Sequence, residues 1–198
     1  MNFGAFILPN GKLKHEIMFW KGLVESNYPD QFYTKHLPHL TILNIKVRDI
    51  NLALKKTMKT INDYNSFHIR IEKKGVFWND FGTHGGHTLF YEVKKNQYIL
   101  NLQKVLAESL TSEVIREKVS IYKKDYEMDL SYKKYGSPFI GEQWIPHFSV
   151  ASLNNQKNNP VIIKFLEKSI NFRFDVMKIT FWKIKKNNHF FLDSIDLR

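Results

Sequence analysis

The chain has 198 residues, carries 30 Lys and Arg against 19 Asp and Glu, and contains no cysteine. Hydrophobic residues make up 43% and aromatic residues 15%, which suffices for a packed core and excludes intrinsic disorder. The lack of cysteine excludes disulfides, thiolate catalysis and cysteine-ligated zinc. No apolar run approaches the roughly 20 residues of a membrane helix, and the N-terminus lacks signal-peptide features. We therefore expect a cytoplasmic, monomeric protein that does not contact membranes.

The net charge of +11 favours polyanionic partners such as nucleic acids and nucleotides. Most of the surplus is Lys, which attracts phosphate as a point charge and does not make the bidentate base contacts of Arg. A Lys-rich proteome would explain the same charge equally well, so charge alone does not assign a function.

Hydrophobic periodicity predicts alternating strands and helices. Residues 117–143 show no clear period and are predicted as a long loop or insertion. In chain order, the other predicted elements are a strand at 3–8, a helix at 13–27, a strand at 39–47, a helix at 49–61, strands at 67–71 and 76–78, a strand at 87–93, a helix at 99–110, a strand at 144–153, a helix at 160–170, and strands at 172–176, 179–182 and 190–197.

The same order of elements occurs in both halves of the chain, which indicates an internal duplication. The sequence from Pro38 to Ile42 is similar to that from Pro146 to Val150. We therefore predict an α+β, bilobal, duplicated fold in a single domain spanning 1–198. Two small antiparallel sheets, each backed by helices, would enclose an active-site cleft between motif strands at 38–47 and 144–153.

The two similar strands each contain a His-x-Ser/Thr pattern, namely His39 with Thr41 and His147 with Ser149. Alternate residues of a strand project to the same face, so each pair should project together. If the lobes face each other, two imidazoles and two hydroxyls converge in one cleft. Imidazoles near neutral pKa can act as acid and base, and hydroxyls can donate to phosphate oxygens. The pattern is therefore typical of phosphodiester chemistry without a metal or cofactor.

These motifs resemble the 2H phosphoesterase superfamily, which includes LigT-like 2′-5′ RNA ligases, cyclic nucleotide phosphodiesterases and viral 2′-5′ oligoadenylate phosphodiesterases. The resemblance implies that one of His39 and His147 is the general base and the other the general acid. It also implies that Thr41 and Ser149 hold the phosphoryl oxygens. The implied substrates are RNA ends or small nucleotides with a 2′,3′-cyclic phosphate or a 2′-5′ linkage.

Three alternatives use the same residues. The site could run in reverse as a 2′-5′ RNA ligase. It could degrade 2′-5′ oligoadenylate or cyclic oligonucleotide signals by identical chemistry. The chain could also be a non-catalytic RNA- or nucleotide-binding module, although both intact motifs argue against that reading.

Several further residues are candidates for substrate binding. His87 begins a strand that should flank the cleft, and Trp78 could stack on a base, although packing in the core is the alternative for such a residue. The Tyr- and Lys-rich segment is a candidate covering loop and contributes Tyr122, Lys124 and Tyr126.

The remaining histidines give weaker signals. His84 and His87 have a short metal-ligand spacing, but no carboxylate lies beside them and the intervening glycines indicate a turn. No other histidine belongs to a motif, and we interpret these as surface or structural residues: His15, His36, His68 and His189.

Overall fold

The computed structural model describes residues 1–116, 125–154, 157–186 and 188–198. The strands are β1 (Asn2–Ile7), β2 (Leu40–Lys46), β3 (Phe67–Asp80), β4 (Gly86–Val93), β5 (His147–Leu153), β6 (Phe172–Val176), β7 (Lys178–Lys185) and β8 (Asn188–Asp196). The α-helices are α1 (Gly11–Asn27), α2 (Ile50–Ile61), α3 (Gln97–Ser109), α4 (Tyr126–Tyr135) and α5 (Pro160–Glu167), and a short 3₁₀ helix spans Phe81–Thr83.

All eight strands belong to one antiparallel sheet in the order β6-β3-β4-β5-β2-β1-β7-β8. The prediction of an α+β fold is confirmed, but its two separate sheets are replaced by two four-stranded halves of one sheet. The halves are joined where β2 meets β5, and among the described residues of these strands the pair there is Leu40 opposite Phe148. Beyond it the strands diverge, and Phe32 from the segment between α1 and β2 forms a bridge with Ser152 of β5. Local sequence patterns could not reveal this joint, because it rests on one long-range pair.

The strand register is the same in the two halves. Phe6 of β1 lies opposite Thr41 of β2, and Phe90 of β4 lies opposite Ser149 of β5. The register shifts immediately before each of these phenylalanines. Such irregularities bend a strand and re-aim its side chains, so both motif strands meet their neighbours in the same local geometry.

The helices cover the face of the sheet opposite the motif side chains. Leu40 and Phe148, the middle residues of the two motifs, are completely buried and belong to the core. Their burial forces the residues on either side of each to face the other way. Helix α1 contributes a stripe of buried side chains to this core, and that stripe includes a lysine, Lys21.

Part of the segment predicted as a loop, 117–143, is helical. Helix α4 begins after Asp125, whose carboxylate accepts from the backbone N–H of Met128, and it ends at Gly136, which has a φ of 69°. These are standard helix-capping residues. The helix carries few apolar residues, so periodicity did not reveal it. Its Ser131 and Tyr135 are buried. Two predicted substrate residues, Tyr122 and Lys124, lie outside the described residues.

No helix in the described part of the chain is long and apolar enough to cross a membrane.

Candidate active site

The two motifs meet where the halves of the sheet join. His39 precedes β2 and His147 opens β5, and the pairing of Leu40 with Phe148 brings the motifs side by side. His39, Thr41, His147 and Ser149 all line one cavity of about 520 Å³. The four residues selected from the sequence therefore share one cleft, on the face that strand alternation predicts.

Each motif histidine is held by the same hydrogen bond. Nδ1 of His39 lies 2.8 Å from the carbonyl oxygen of Leu37, and Nδ1 of His147 lies 2.7 Å from that of Ile145. A carbonyl can only accept, so in both rings Nδ1 carries the hydrogen and Nε2 is the nitrogen left for a ligand. The two side chains are thus oriented alike from opposite sides of the joint.

Aromatic rings fix the two imidazoles in different ways. Phe6 stacks on His39 with ring centroids 4.2 Å apart. His147 meets the edges of Phe77 at 5.0 Å and Phe90 at 5.4 Å. These contacts restrict both imidazoles and remove water from them.

Two glycines make room for these rings. A Cβ at Gly4 would lie 2.8 Å from the ring of Phe6, and a Cβ at Gly75 would overlap the ring of Phe90. Real Cβ atoms do not approach other atoms so closely, so the ring beside each histidine can occupy its place only over a glycine.

The charges around the two histidines differ. Burial lowers the pKa of His39 to about 4, and nearby cationic groups act in the same direction. Burial also lowers the pKa of His147 from its usual value of 6.5, but there the carboxylates of Asp80 and Glu92 act in the opposite direction. Burial therefore favours the neutral form of both imidazoles, but only at His147 do carboxylates oppose it.

Sequence reasoning missed three basic residues beside His39. His36 and His189, interpreted above as surface or structural residues, both line the cavity, and so does Lys21. These three residues come from separate parts of the chain, and no local motif connects them. One signal was available for Lys21, because it continues the buried stripe that Leu13 and Ile17 begin on α1.

Lys21 is a buried cation beneath the cleft, with an exposed fraction of only 2%. Its ammonium donates to the carbonyl oxygens of Tyr33 and of Val150. Burial lowers its pKa to about 8, so it is still mostly charged at neutral pH. It joins α1 to the segment before β2 and to β5, and it contributes positive charge to the His39 side of the cleft.

Two residues predicted at the rim lie elsewhere. Among the described residues that line the cavity, neither His87 nor Trp78 appears. His87 is buried, accepts from the backbone N–H of Asn79, and packs against Trp78 with ring centroids 5.0 Å apart. Since neighbouring strand residues face opposite sides, it is Phe77 that touches His147 while Trp78 points away. A role of Trp78 in substrate binding stays a prediction, and within the described residues its ring lies against His87 and not against a motif histidine.

Tyr126, the third predicted substrate residue with a described position, opens α4 and is 72% exposed. It does not line the cavity either. His84 and His87 do not converge on a metal site, because His84 packs against Phe32 while His87 packs against Trp78.

A sequence model of the 2′-5′ RNA ligase superfamily matches residues 11–188. The chain belongs to this superfamily. Members of the 2′-5′ RNA ligase superfamily are 2H phosphoesterases, and the resemblance inferred from the two motifs is thereby confirmed. No curated protein matches the chain.

Solved structures of low sequence identity share the fold along the whole chain. TT0787 of Thermus thermophilus is 14% identical, with a TM-score of 0.67 and coverage of 100% of this chain and 98% of that one. LigT of E. coli, complexed with 3′-AMP, is 10% identical, with a TM-score of 0.60 and coverage of 99% and 97%. Usb1 of Kluyveromyces marxianus is 11% identical, with a TM-score of 0.50 and coverage of 99% and 98%. At these identities the likeness establishes the fold of this superfamily member and not its substrate.

Proposed function

We propose that this protein is a phosphodiesterase that acts on RNA ends or oligonucleotides carrying a 2′,3′-cyclic phosphate or a 2′-5′ linkage. We propose His/His general acid–base catalysis without a metal ion. The observation that carries the proposal is the paired orientation of His39 and His147. Both use Nδ1 on a backbone carbonyl, and both line the cavity that also contains Thr41 and Ser149.

We assign the general base to His39 and the general acid to His147. A base must be unprotonated before the reaction, which suits His39, whose pKa is lowered by burial and by neighbouring cations. An acid must carry a proton, and His147 is the motif histidine at which carboxylates, those of Asp80 and Glu92, oppose the lowering of its pKa by burial. The electrostatic difference between the two sides of the cleft is the support for this assignment.

The proposed reaction has two proton transfers, one from the attacking oxygen to His39 and one from His147 to the leaving oxygen. On a 2′,3′-cyclic phosphate, His39 takes a proton from water as its oxygen attacks phosphorus. His147 then protonates the ribose oxygen that leaves, and the ring opens to a monophosphate. On a 2′-5′ linkage, the neighbouring 3′-hydroxyl attacks instead, the 5′ oxygen leaves with the proton of His147, and the product is a cyclic phosphate.

Thr41 and Ser149 are proposed to bind the non-bridging phosphate oxygens. Within the described residues neither hydroxyl takes part in a hydrogen bond to another side chain or to the backbone, and each is half-buried at the cavity wall. A hydroxyl that is oriented and free to donate stabilises charge that develops on phosphate oxygens. E. coli LigT, which shares this fold, has been solved in complex with 3′-AMP, NADP⁺ and ATP, and this supports a nucleotide as the ligand.

A substrate panel in EDTA tests the proposal. It contains 2′,3′-cyclic mononucleotides, 2′-5′ and 3′-5′ oligonucleotides of equal sequence, and cyclic dinucleotides. It also contains two RNA fragments for the ligase alternative, one ending in a 2′,3′-cyclic phosphate and one beginning with a 5′-hydroxyl. We expect turnover of the cyclic phosphate or of the 2′-5′ linkage, and much slower turnover of the matched 3′-5′ control. Turnover that disappears in EDTA, or tight binding of RNA without cleavage of any panel member, contradicts the proposal.

Variants of the two histidines sharpen this test. His39→Gln and His147→Gln should each lower kcat by about 10²-fold or more, since each removes one proton-transfer group. The thermal midpoint should change little. His15→Gln, at an exposed position of α1, should match the wild type in both measurements. Near-wild-type kcat in either motif variant would show that the residue is not catalytic.

A further inference from the structure

Two histidines outside the motifs form a wall on the His39 side of the cleft. The ring centroid of His189 lies 5.1 Å from that of His39 and 5.4 Å from that of His36. His36 also lies 5.6 Å from the ring of Tyr33. His36 precedes β2 and His189 lies on β8, so they converge only in the folded protein. We call His36 and His189 the second histidine pair.

The second histidine pair is available to a ligand. Unlike His39 and His147, neither ring has a hydrogen-bond partner within the described part of the chain. Both side chains line the cavity and are half-buried rather than sealed in the core. Two adjacent imidazoles with free ring nitrogens at a cavity wall can therefore both bond to a ligand that enters the cavity.

The charges that face the pair favour an anion. The buried ammonium of Lys21 lies on this side of the cleft and lowers the pKa of His36, after burial itself. The other charged groups that line this wall are Asp30 and Lys35, and Lys35 pairs with Asp30 at 2.8 Å and with Glu25 at 3.3 Å. The carboxylates of Asp80 and Glu92 act on His147, and that of Asp80, after burial itself, also raises the pKa of Tyr33 beside His36. Among the described residues that line this wall, Lys21 is therefore the ammonium without a carboxylate partner, and it favours an anion beside the second histidine pair.

A metal ion fits this arrangement poorly. Among the described residues no group of three His, Asp or Glu side chains is placed to hold one. A nearby ammonium also repels a cation. Phosphate, by contrast, accepts hydrogen bonds from neutral imidazole and binds more strongly to imidazolium.

We propose that His36 and His189 form a second phosphate subsite, which binds an additional phosphate of the substrate on the His39 side of the scissile phosphate. The inference rests on the proposed function and narrows its substrate class. The preferred substrates are nucleotides or oligonucleotides with at least two phosphates, and a nucleoside with only a 2′,3′-cyclic phosphate leaves the subsite empty. The second histidine pair determines specificity and does not take part in proton transfer.

Paired substrates measure the effect of one added phosphate. Adenosine 2′,3′-cyclic phosphate is compared with its 5′-phosphorylated form. A 2′-5′ diadenylate is compared with the forms phosphorylated at its 5′ end or at the 3′-hydroxyl of its second adenosine, so that the attacking 3′-hydroxyl of the first adenosine stays free. In the wild type we expect one added phosphate to raise kcat/KM by roughly tenfold or more, since hydrogen bonds to a charged group have about this effect. The preferred position of that phosphate shows which end of the substrate faces His36.

His36→Phe and His189→Phe keep an aromatic ring and remove its hydrogen-bonding nitrogens. In each variant the ratio of kcat/KM for the phosphorylated substrate to that for the unphosphorylated substrate should fall toward one. His15→Phe, the same substitution at an exposed position of α1, should keep the wild-type ratio of kcat/KM. If the added phosphate brings no advantage at either position, or if both variants keep the full advantage, the subsite does not exist.

A binding measurement separates this inference from the proposed function. Calorimetry compares adenosine 2′-monophosphate with adenosine 2′,5′-bisphosphate and needs no turnover. Tighter binding of the bisphosphate that is lost in His36→Phe supports the subsite even if the substrate panel shows no cleavage. Turnover of the panel together with equal binding of the two nucleotides supports the enzyme and overturns the subsite.

Discussion

At the scale of single residues, two prolines set the orientation of the motif histidines. Each histidine follows a proline and bonds to the carbonyl of the residue before that proline, Leu37 in one half and Ile145 in the other. Proline has a fixed φ and holds the preceding residue in an extended conformation. The carbonyl therefore stays within reach of Nδ1, and Nε2 is left for the substrate. The repeated Pro-His sequence thus has a direct chemical consequence.

The pKa values of the two histidines predict an acidic optimum for kcat/KM in the free enzyme. His39 must be neutral to act as a base, so activity falls as the pH drops through its pKa of about 4. His147 must be protonated to act as an acid, so activity falls as the pH rises through its pKa, which burial places below 6.5. Because both pKa values lie below 6.5, the profile should be bell-shaped with its maximum below pH 6.5, and an optimum at or above pH 7 contradicts the prediction.

Lys21→Met provides an internal check on this profile. The substitution removes one of the positive charges that lower the pKa of His39. The acidic limb should therefore move to higher pH, while the alkaline limb, which reports His147, should move much less.

At the scale of secondary-structure elements, the packing of β3 against β4 holds His147. Gly75 lies opposite Phe90, and the absence of a Cβ lets the ring cover the strand and meet the imidazole. The arrangement of Gly4, Phe6 and His39 in the other half is similar. Each motif histidine is thus positioned by a ring from a neighbouring strand, and each ring is positioned by a glycine.

Gly75→Ala should impair both packing and catalysis. The new Cβ forces the Phe90 ring to move, which should lower the free energy of unfolding by about 1–3 kcal/mol. The displaced ring releases His147, so kcat should fall by roughly tenfold to a hundredfold. Denaturant unfolding and steady-state kinetics measure the two effects.

Gly22→Ala on α1 is the matched control for this prediction. A Cβ at Gly22 has no atom within 4 Å, and alanine favours a helix interior by about 0.5–1 kcal/mol over glycine. This variant should be slightly more stable than the wild type with unchanged kcat. If Gly75→Ala also keeps wild-type kcat, Phe90 does not position His147.

At the scale of the whole molecule, the net charge of +11 surrounds a cleft that is itself polarised. The buried ammonium of Lys21 lies on its His39 side, and carboxylates act on its His147 side. The general surplus of Lys draws an anionic substrate toward the protein. The local difference then orients the substrate within the cleft.

Salt should separate these two contributions. A longer RNA contacts more of the basic surface than a mononucleotide, and each phosphate contact releases counterions. We expect kcat/KM for a 2′-5′ oligonucleotide to fall more steeply with added NaCl than that for a 2′,3′-cyclic mononucleotide. Equal slopes for the two substrates would show that the surplus charge does not assist substrate binding.

The sequence by itself determined the fold class, the superfamily and the four motif residues. Each motif occupies one strand, and strand alternation decides locally that His39 and Thr41, or His147 and Ser149, share a face. The two motifs are also similar enough to reveal a repeat. These conclusions needed no knowledge of how distant segments pack.

Only the tertiary structure decided how the halves join and what surrounds the motifs. The joint depends on the pair of Leu40 with Phe148, and the His39 side of the cleft gathers Lys21, His36 and His189 from three distant segments. The choice of Phe77 over Trp78 as the ring at His147 depended on which face of β3 meets the cleft. Such contacts form between residues far apart in the chain, and no local pattern records them. The paired motifs and their shared face were therefore readable from the sequence, whereas the asymmetry of the cleft required the fold.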